Sequence, residues 1–121
     1  MKKVKFKIPI YNFNVTFIEA ESFNDKEKVI KEMKAMKCPQ ECIDEVIEGF
    51  NMQSMNSAWT FNNCYILTFL VIVLPCTDKV TRRSVVNHEK RHIEDKLIKH
   101  CDINDIEASA YIAGFISRFI Y

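Results

Sequence analysis

The sequence predicts a single α+β domain over residues 1–121, on three observations. Two segments near the amino terminus alternate apolar and polar residues with the two-residue period of half-buried strands. The middle of the chain holds an almost continuous apolar run from Cys64 to Leu74. The last third spaces its apolar residues as helices do, behind residues suited to capping. Strands, helices, strands and helices in that order make an α+β domain, and 121 residues suit one core.

Each element has its own signal. Val4, Phe6, Ile8 and Ile10, then Phe13, Val15 and Phe17, predict an antiparallel pair over about 3–19. Pro9 and the lysines of the first strand place it at a sheet edge. Asn24 with Glu27 three residues on resembles a capping box, and Val29, Ile30, Met33 and Met36 extend a helix over about 25–37. Pro39 suits the first turn of a second helix, carrying Ile43, Val46 and Ile47 and ending near Gly49. Polar residues 51–57, with Met52 and Met55, read as a loop. Ala58–Phe61 and Cys64–Leu74 follow as strands joined through a two-residue turn at Asn62-Asn63. The second of these is expected to be central and covered on both faces, ending at Pro75. Thr77 or Asp78 caps a helix reaching about His100, with Val85, Val86, Ile93 and Leu97 inward. Asp102 with Asp105 caps a last helix carrying Ile106, Ala110, Ala113, Ile116 and Ile120.

Composition narrows the function classes. Seventeen basic residues against sixteen acidic ones give a net charge of +1, and two glycines leave no glycine-rich phosphate loop. Nucleic acid and anionic membrane are therefore not expected as main partners. The apolar run is short of the roughly 20 residues a membrane helix needs. The amino terminus alternates lysines with apolar residues and lacks the apolar block of a secretory signal, so a cytoplasmic chain is expected. The odd set of five cysteines then reads as reduced thiols. Cys38 and Cys42 have metal-pair spacing but no second pair to complete a four-cysteine site.

One motif carries chemistry. His88-Glu89-Lys90-Arg91-His92 is HExxH, and on a helix residues four apart share a face, so both imidazoles reach one metal ion. Glu89 then stands beside the metal, placed to take a proton from a water whose pKa zinc lowers toward about 7. Such a match arises by chance on the order of once in a few hundred chains of this length, so context has to decide. The motif falls inside a predicted helix, an apolar strand precedes it, and a helix bearing Glu107 follows. Two histidines, a glutamate and an open position make a catalytic zinc site rather than a closed structural one.

The carboxy-terminal half resembles the short gluzincin-type metallopeptidases encoded by bacteriophages and other mobile elements. The likeness covers about residues 58–121 and rests on Trp59-Thr60-Phe61, Tyr65–Leu74, the HExxH motif, and Glu107-Ala108-Ser109-Ala110-Tyr111 as the Glu-x-x-Ala-Tyr that opens the last helix. It implies a minimal zincin-like domain: a small, mostly antiparallel sheet packed by about four helices, with the metal between the last two. It further implies Zn2+ held by His88, His92 and Glu107, Glu89 as general base, and a peptide or protein substrate. The metzincin pattern is excluded, because Asp95 and Ile98 stand where its glycine and third histidine belong. Lys90 and Arg91 are more basic than residues often found between the histidines.

Other side chains carry two readings each. Glu107 is a ligand or a first-turn carboxylate favoured by the helix dipole. Tyr111 is a donor to the oxyanion of a tetrahedral intermediate or an aromatic core residue with its hydroxyl at the rim. Asp95, Asp102 and Asp105 are alternative acidic ligands, and Asp95 reads equally as a group that orients an imidazole. His100, about 12 Å along the helix from His92, reads as a cation near the helix carboxy terminus. Trp59 and Phe61 read as packing rather than cleft lining. The alternative to a peptidase is a non-catalytic zinc-binding or protein-interaction module on the same scaffold.

Overall fold

In the computed structural model, which describes residues 1–9, 11–63, 68–101 and 106–120, strands β1 (Lys2–Ile8) and β2 (Phe13–Glu19) lead through a short 3₁₀ turn into helices α1 (Lys26–Ala35) and α2 (Gln40–Asn51). Strands β3 (Ala58–Asn63) and β4 (Thr68–Val73) follow, then helices α3 (Lys79–His100) and α4 (Ile106–Ser117). The strands form one mixed sheet in the order β1-β2-β4-β3. β1 pairs antiparallel with β2 and β3 antiparallel with β4, while β2 and β4 run parallel. The α+β expectation holds, with β1 and β3 at the two edges.

The alternation of β4 explains the layering. Phe69, Val71 and Val73 bury toward one core with Val86, Ile93, Leu97, Ile112 and Ile116, on the α3/α4 side. Leu70, Ile72 and Leu74 bury toward a second core with Val29, Met33, Ile43 and Val46, on the α1/α2 side. A strand apolar on both faces is stable only with cover on both, and each fully buried Val, Leu or Ile contributes roughly 1.5–3 kcal/mol. Helices therefore lie on both sides of the sheet. No helix among the described residues is long and apolar enough to cross a membrane.

Several local expectations are corrected. The capping box is Ser22 with Asp25, not Asn24 with Glu27: Ser22 Oγ accepts from the Asn24 amide at 2.9 Å, and Asp25 accepts from the Glu21 and Ser22 amides. The helix thus opens with a 3₁₀ turn. Asn62 and Asn63 are not turn residues; they continue β3, paired with Phe69 and Thr68. The expected start of the following strand at Cys64 lies outside the described residues, as do Ile10 and the Asp102/Asp105 cap. Of the two candidate caps for α3, Asp78 takes the position, its Oδ1 accepting from the Thr81 amide at 2.7 Å. In α4 the buried side runs through Ile112, Ile116 and, just beyond the helix, Ile120, while Ala110 is exposed. That stripe packs with Phe115 and Phe119, and Phe119 stacks on Phe6 of β1 at 4.4 Å.

Two consequences can be measured. Gly49 faces the Trp59 ring so closely that a Cβ there would stand 2.6 Å from Trp59 Cη2. The Gly49→Ala chain should lose about 1–3 kcal/mol, read as a lower urea midpoint; an unchanged midpoint would show that Trp59 is free to move aside. Glu94 on α3 is desolvated, which raises its carboxyl pKa above the ordinary 4.5 despite Arg91 and Lys90 nearby. Stability linked to a raised carboxyl is full below the unfolded pKa and is lost as pH rises through the folded one. Glu94→Gln should therefore melt higher than the wild type at pH 7 and converge with it below pH 4.5. A lower melting temperature at pH 7 would mean that the neighbouring cations outweigh burial.

Candidate metal centre

The site is built by the phase of one helix. α3 spans 22 residues, about 33 Å, with HExxH near its middle. Successive residues turn by about 100°, so His88 and His92 lie close together on an exposed face. Glu89 is about 100° round from His88, toward the sheet. The imidazoles meet edge to face, with ring centroids 4.6 Å apart and Nε2 atoms 3.0 Å apart. Two nitrogens held about 2.0–2.1 Å from a tetrahedral zinc stand about 3.3–3.4 Å apart, so the pair is close to that spacing.

Glu89 is buried, at 6% exposure, yet carries a carboxylate. A buried carboxylate needs a partner, and Thr60 of β3 supplies it: Thr60 Oγ1 donates to Glu89 Oε2 at 2.5 Å. Strand alternation selects Thr60 for this task. Ala58 packs against the α3/α4 core, and Thr60, two residues on, shares its face. Trp59 and Phe61 pack against the opposite core, as the packing reading expects, but Trp59 also borders the cleft. Ligand atoms of His88, Glu89 and His92 all lie within 4.8 Å of one another, a group able to hold a metal ion.

His88 and Glu89 border a cleft of about 500 Å³ between α3 and the beginning of β3, lined with them among the described residues by Asn56, Ser57, Ala58, Trp59, Ser84 and Val85. The loop on its far side is pinned by Asn56, whose Oδ1 accepts from the Thr77 amide at 2.9 Å and whose own amide donates to the Pro75 carbonyl at 2.9 Å. β3 is an edge strand, so one side of its backbone faces outward along this cleft.

The other expected site residues stand elsewhere. Lys90 is about 160–200° round α3 from the two histidines, and its Nζ donates to Ser117 Oγ of α4 at 3.3 Å. α4 thus packs on a different flank from the cleft. Glu107 is exposed in the first turn of α4, ten residues or about 15 Å along that helix from Ser117. It is not part of the compact group, nor among the described residues lining the cleft. Tyr111 is 45% exposed, beside Phe115. Asp95 pairs with Arg91 at 3.1 Å instead of reaching an imidazole. His100 packs edge-on against Phe13 at the end of α3. Cys38 and Cys42 are half-buried, and burial pushes both thiols above their ordinary pKa, the reverse of what a metal thiolate requires.

Sequence reasoning missed Thr60 as the partner of Glu89. The signal lay in the strand itself: a hydroxyl between two aromatics, on the face opposite theirs. Comparison of the chain with family models, curated proteins and solved structures gives no match.

Proposed function

We propose that the chain is a zinc-dependent metallopeptidase acting through the HExxH helix. The observation that supports this best is a buried Glu89, fixed by Thr60, that lines an open cleft with His88, while the His88 and His92 Nε2 atoms stand 3.0 Å apart. The donor set suits zinc: neutral imidazoles with a carboxylate are ligands that zinc accepts, and too few in number to close its coordination. His88 and His92 would hold the ion, with Glu107 assigned as third donor. Because Glu107 stands outside the compact group, it is the ligand whose contribution metal binding itself has to reveal. A bound zinc supplies Lewis acidity, lowering the pKa of water toward about 7 and polarising a carbonyl.

The protein's own groups divide the remaining work. Thr60 occupies Glu89 Oε2, leaving Oε1 as the oxygen that takes a proton from the attacking water and returns it to the leaving amine. The outward side of β3 offers backbone donors and acceptors to an extended peptide, which would lie across the cleft as an added strand. Small residues at the rim, Ser57, Ala58 and Ser84, leave room for that chain to approach. No step is assigned to Tyr111. Among the described residues Cys38, Cys42, Cys76 and Cys101 are free and half-buried, which suits the cytoplasmic setting we assign.

The position of Glu107 favours one competing reading, a zinc-binding module that holds metal without hydrolysis. Metal content and cleavage separate the two. Elemental analysis after zinc incubation should give about one zinc per chain, lost in His88→Ala and His92→Ala and held about 10–100-fold more weakly in Glu107→Gln. No zinc in the wild type would sink both readings, whereas an intact affinity in Glu107→Gln would remove that residue alone. Against a peptide library, Glu89→Gln should retain zinc and lose about 10²–10⁴ in rate. Thr60→Val should retain zinc and lose less, with Thr60→Ser restoring the rate. Zinc binding without Glu89-dependent cleavage would establish the module.

A further inference from the structure

A second feature lies apart from the histidines, where β1 and α3 both begin. Two recesses open there and share Lys2 and Arg82. One, of about 460 Å³, is lined among the described residues by Lys2, Lys79, Arg82 and Arg83, all cations. Its neighbour, of about 280 Å³, adds Lys3, Glu19 and an apolar wall of Val4, Phe17 and Phe119. Both volumes are of the order of small-molecule sites, which span roughly 300–1,000 Å³.

The cations are arranged against their own electrostatic interest. Lys79 and Arg83 are four residues apart on α3, a like-charge spacing that destabilises a helix. They sit in its opening turns, where the backbone dipole is positive and no acidic residue offsets them within the first turn. Lys2 brings a third positive charge from the neighbouring strand. Two carboxylates are close, and both are engaged. Glu19 accepts from Arg82, with Nη2–Oε1 at 2.8 Å, and Asp78 caps α3 through the Thr81 amide. No ion pair among the described residues involves Lys2, Lys79 or Arg83. Locally unfavourable charge placement of this kind is a mark of a binding site, because a ligand relieves it.

We propose that the joined recesses bind a phosphate-bearing small molecule with a flat apolar body. Its phosphate lies among Lys2, Lys79 and Arg83, and its apolar part rests against Phe119 and Val4. Arg82, held by Glu19, forms the floor the two halves share. The even overall charge of the chain conceals this concentration, since Lys2 and Arg83 are distant in sequence and meet only in the fold.

The test uses the full chain with chelator present, so that the metal centre plays no part. Phenyl phosphate and inorganic phosphate are titrated by calorimetry into the wild type and a Lys79→Glu/Arg83→Glu variant. Both substituted residues are exposed, and glutamate in an opening turn suits the helix dipole, so the variant should fold, as circular dichroism would verify. Phenyl phosphate should bind saturably, roughly tenfold more tightly than inorganic phosphate, and the variant should weaken it by at least about tenfold. Absence of saturable binding, or equal binding by the variant, would overturn the proposal. Equal affinity for the two probes would overturn its two-part form by removing the apolar wall.

Discussion

The constraint on which the rest of the structure depends is that β4 is apolar on both faces. Phe69, Val71 and Val73 require one cover and Leu70, Ile72 and Leu74 another, so neither side of the sheet can be left to water. Placing β4 in the interior commits β2 and β3 to flank it, and leaves β3 as an edge. The helix after β4 returns across the sheet on the side of Phe69 and Val71. α3 consequently runs beside β3, and the motif helix meets an open strand edge. The candidate site is thus a consequence of how the core had to close.

Within that frame, Glu89 is the side chain whose environment is most demanding. It shares the buried side of α3 with Val86, Ile93 and Leu97, yet a carboxylate left there alone would be costly. The hydroxyl of Thr60 resolves the conflict and also ties the helix to the edge strand. One bond therefore ties the helix to the strand and keeps the Glu89 carboxyl at the cleft wall in one orientation, while the histidines beside it remain exposed.

Much of this was legible in the sequence, for reasons that differ by element. Periodicity of two marked β1 and β2, and the neighbouring caps Thr77 and Asp78 marked the start of α3 to within a residue, because these signals are local. HExxH was readable because helical spacing alone brings His88 and His92 together. The turn at Asn62-Asn63 was misplaced because asparagine suits positive φ wherever it occurs, and cross-strand pairing with Phe69 and Thr68 outweighs that preference here. The capping box shifted because Ser22 and Asp25 satisfy the amides two residues earlier than Asn24 and Glu27 would. The strand face of Thr60 was legible from its aromatic neighbours, but its pairing with Glu89 and the Lys2–Arg83 recess were not, since each depends on residues far apart in the chain meeting in the fold.

α3 has little of the amphipathic pattern usual for a helix packed on a sheet, and its division of labour explains why. Its fully buried apolar residues are Val86, Ile93 and Leu97 alone, with Val85 and Ile98 packed at their margin. The adjacent side carries His88 and Glu89 to the cleft, with His92 exposed beside them. Farther round, Lys90 reaches α4, and the opening turns turn Lys79, Arg82 and Arg83 toward β1. A helix with a single buried face would show a broad apolar stripe; one bordered by a sheet, a cleft and a second helix spends most of its circumference on polar contacts. Its stability then rests on a few deeply buried residues and on a firm amino-terminal cap. That is the arrangement seen, with Ile93 and Leu97 fully buried and Asp78 closing the first turn. The polar character of α3 is thus the footprint of the contacts it makes, rather than a sign of a weakly packed helix.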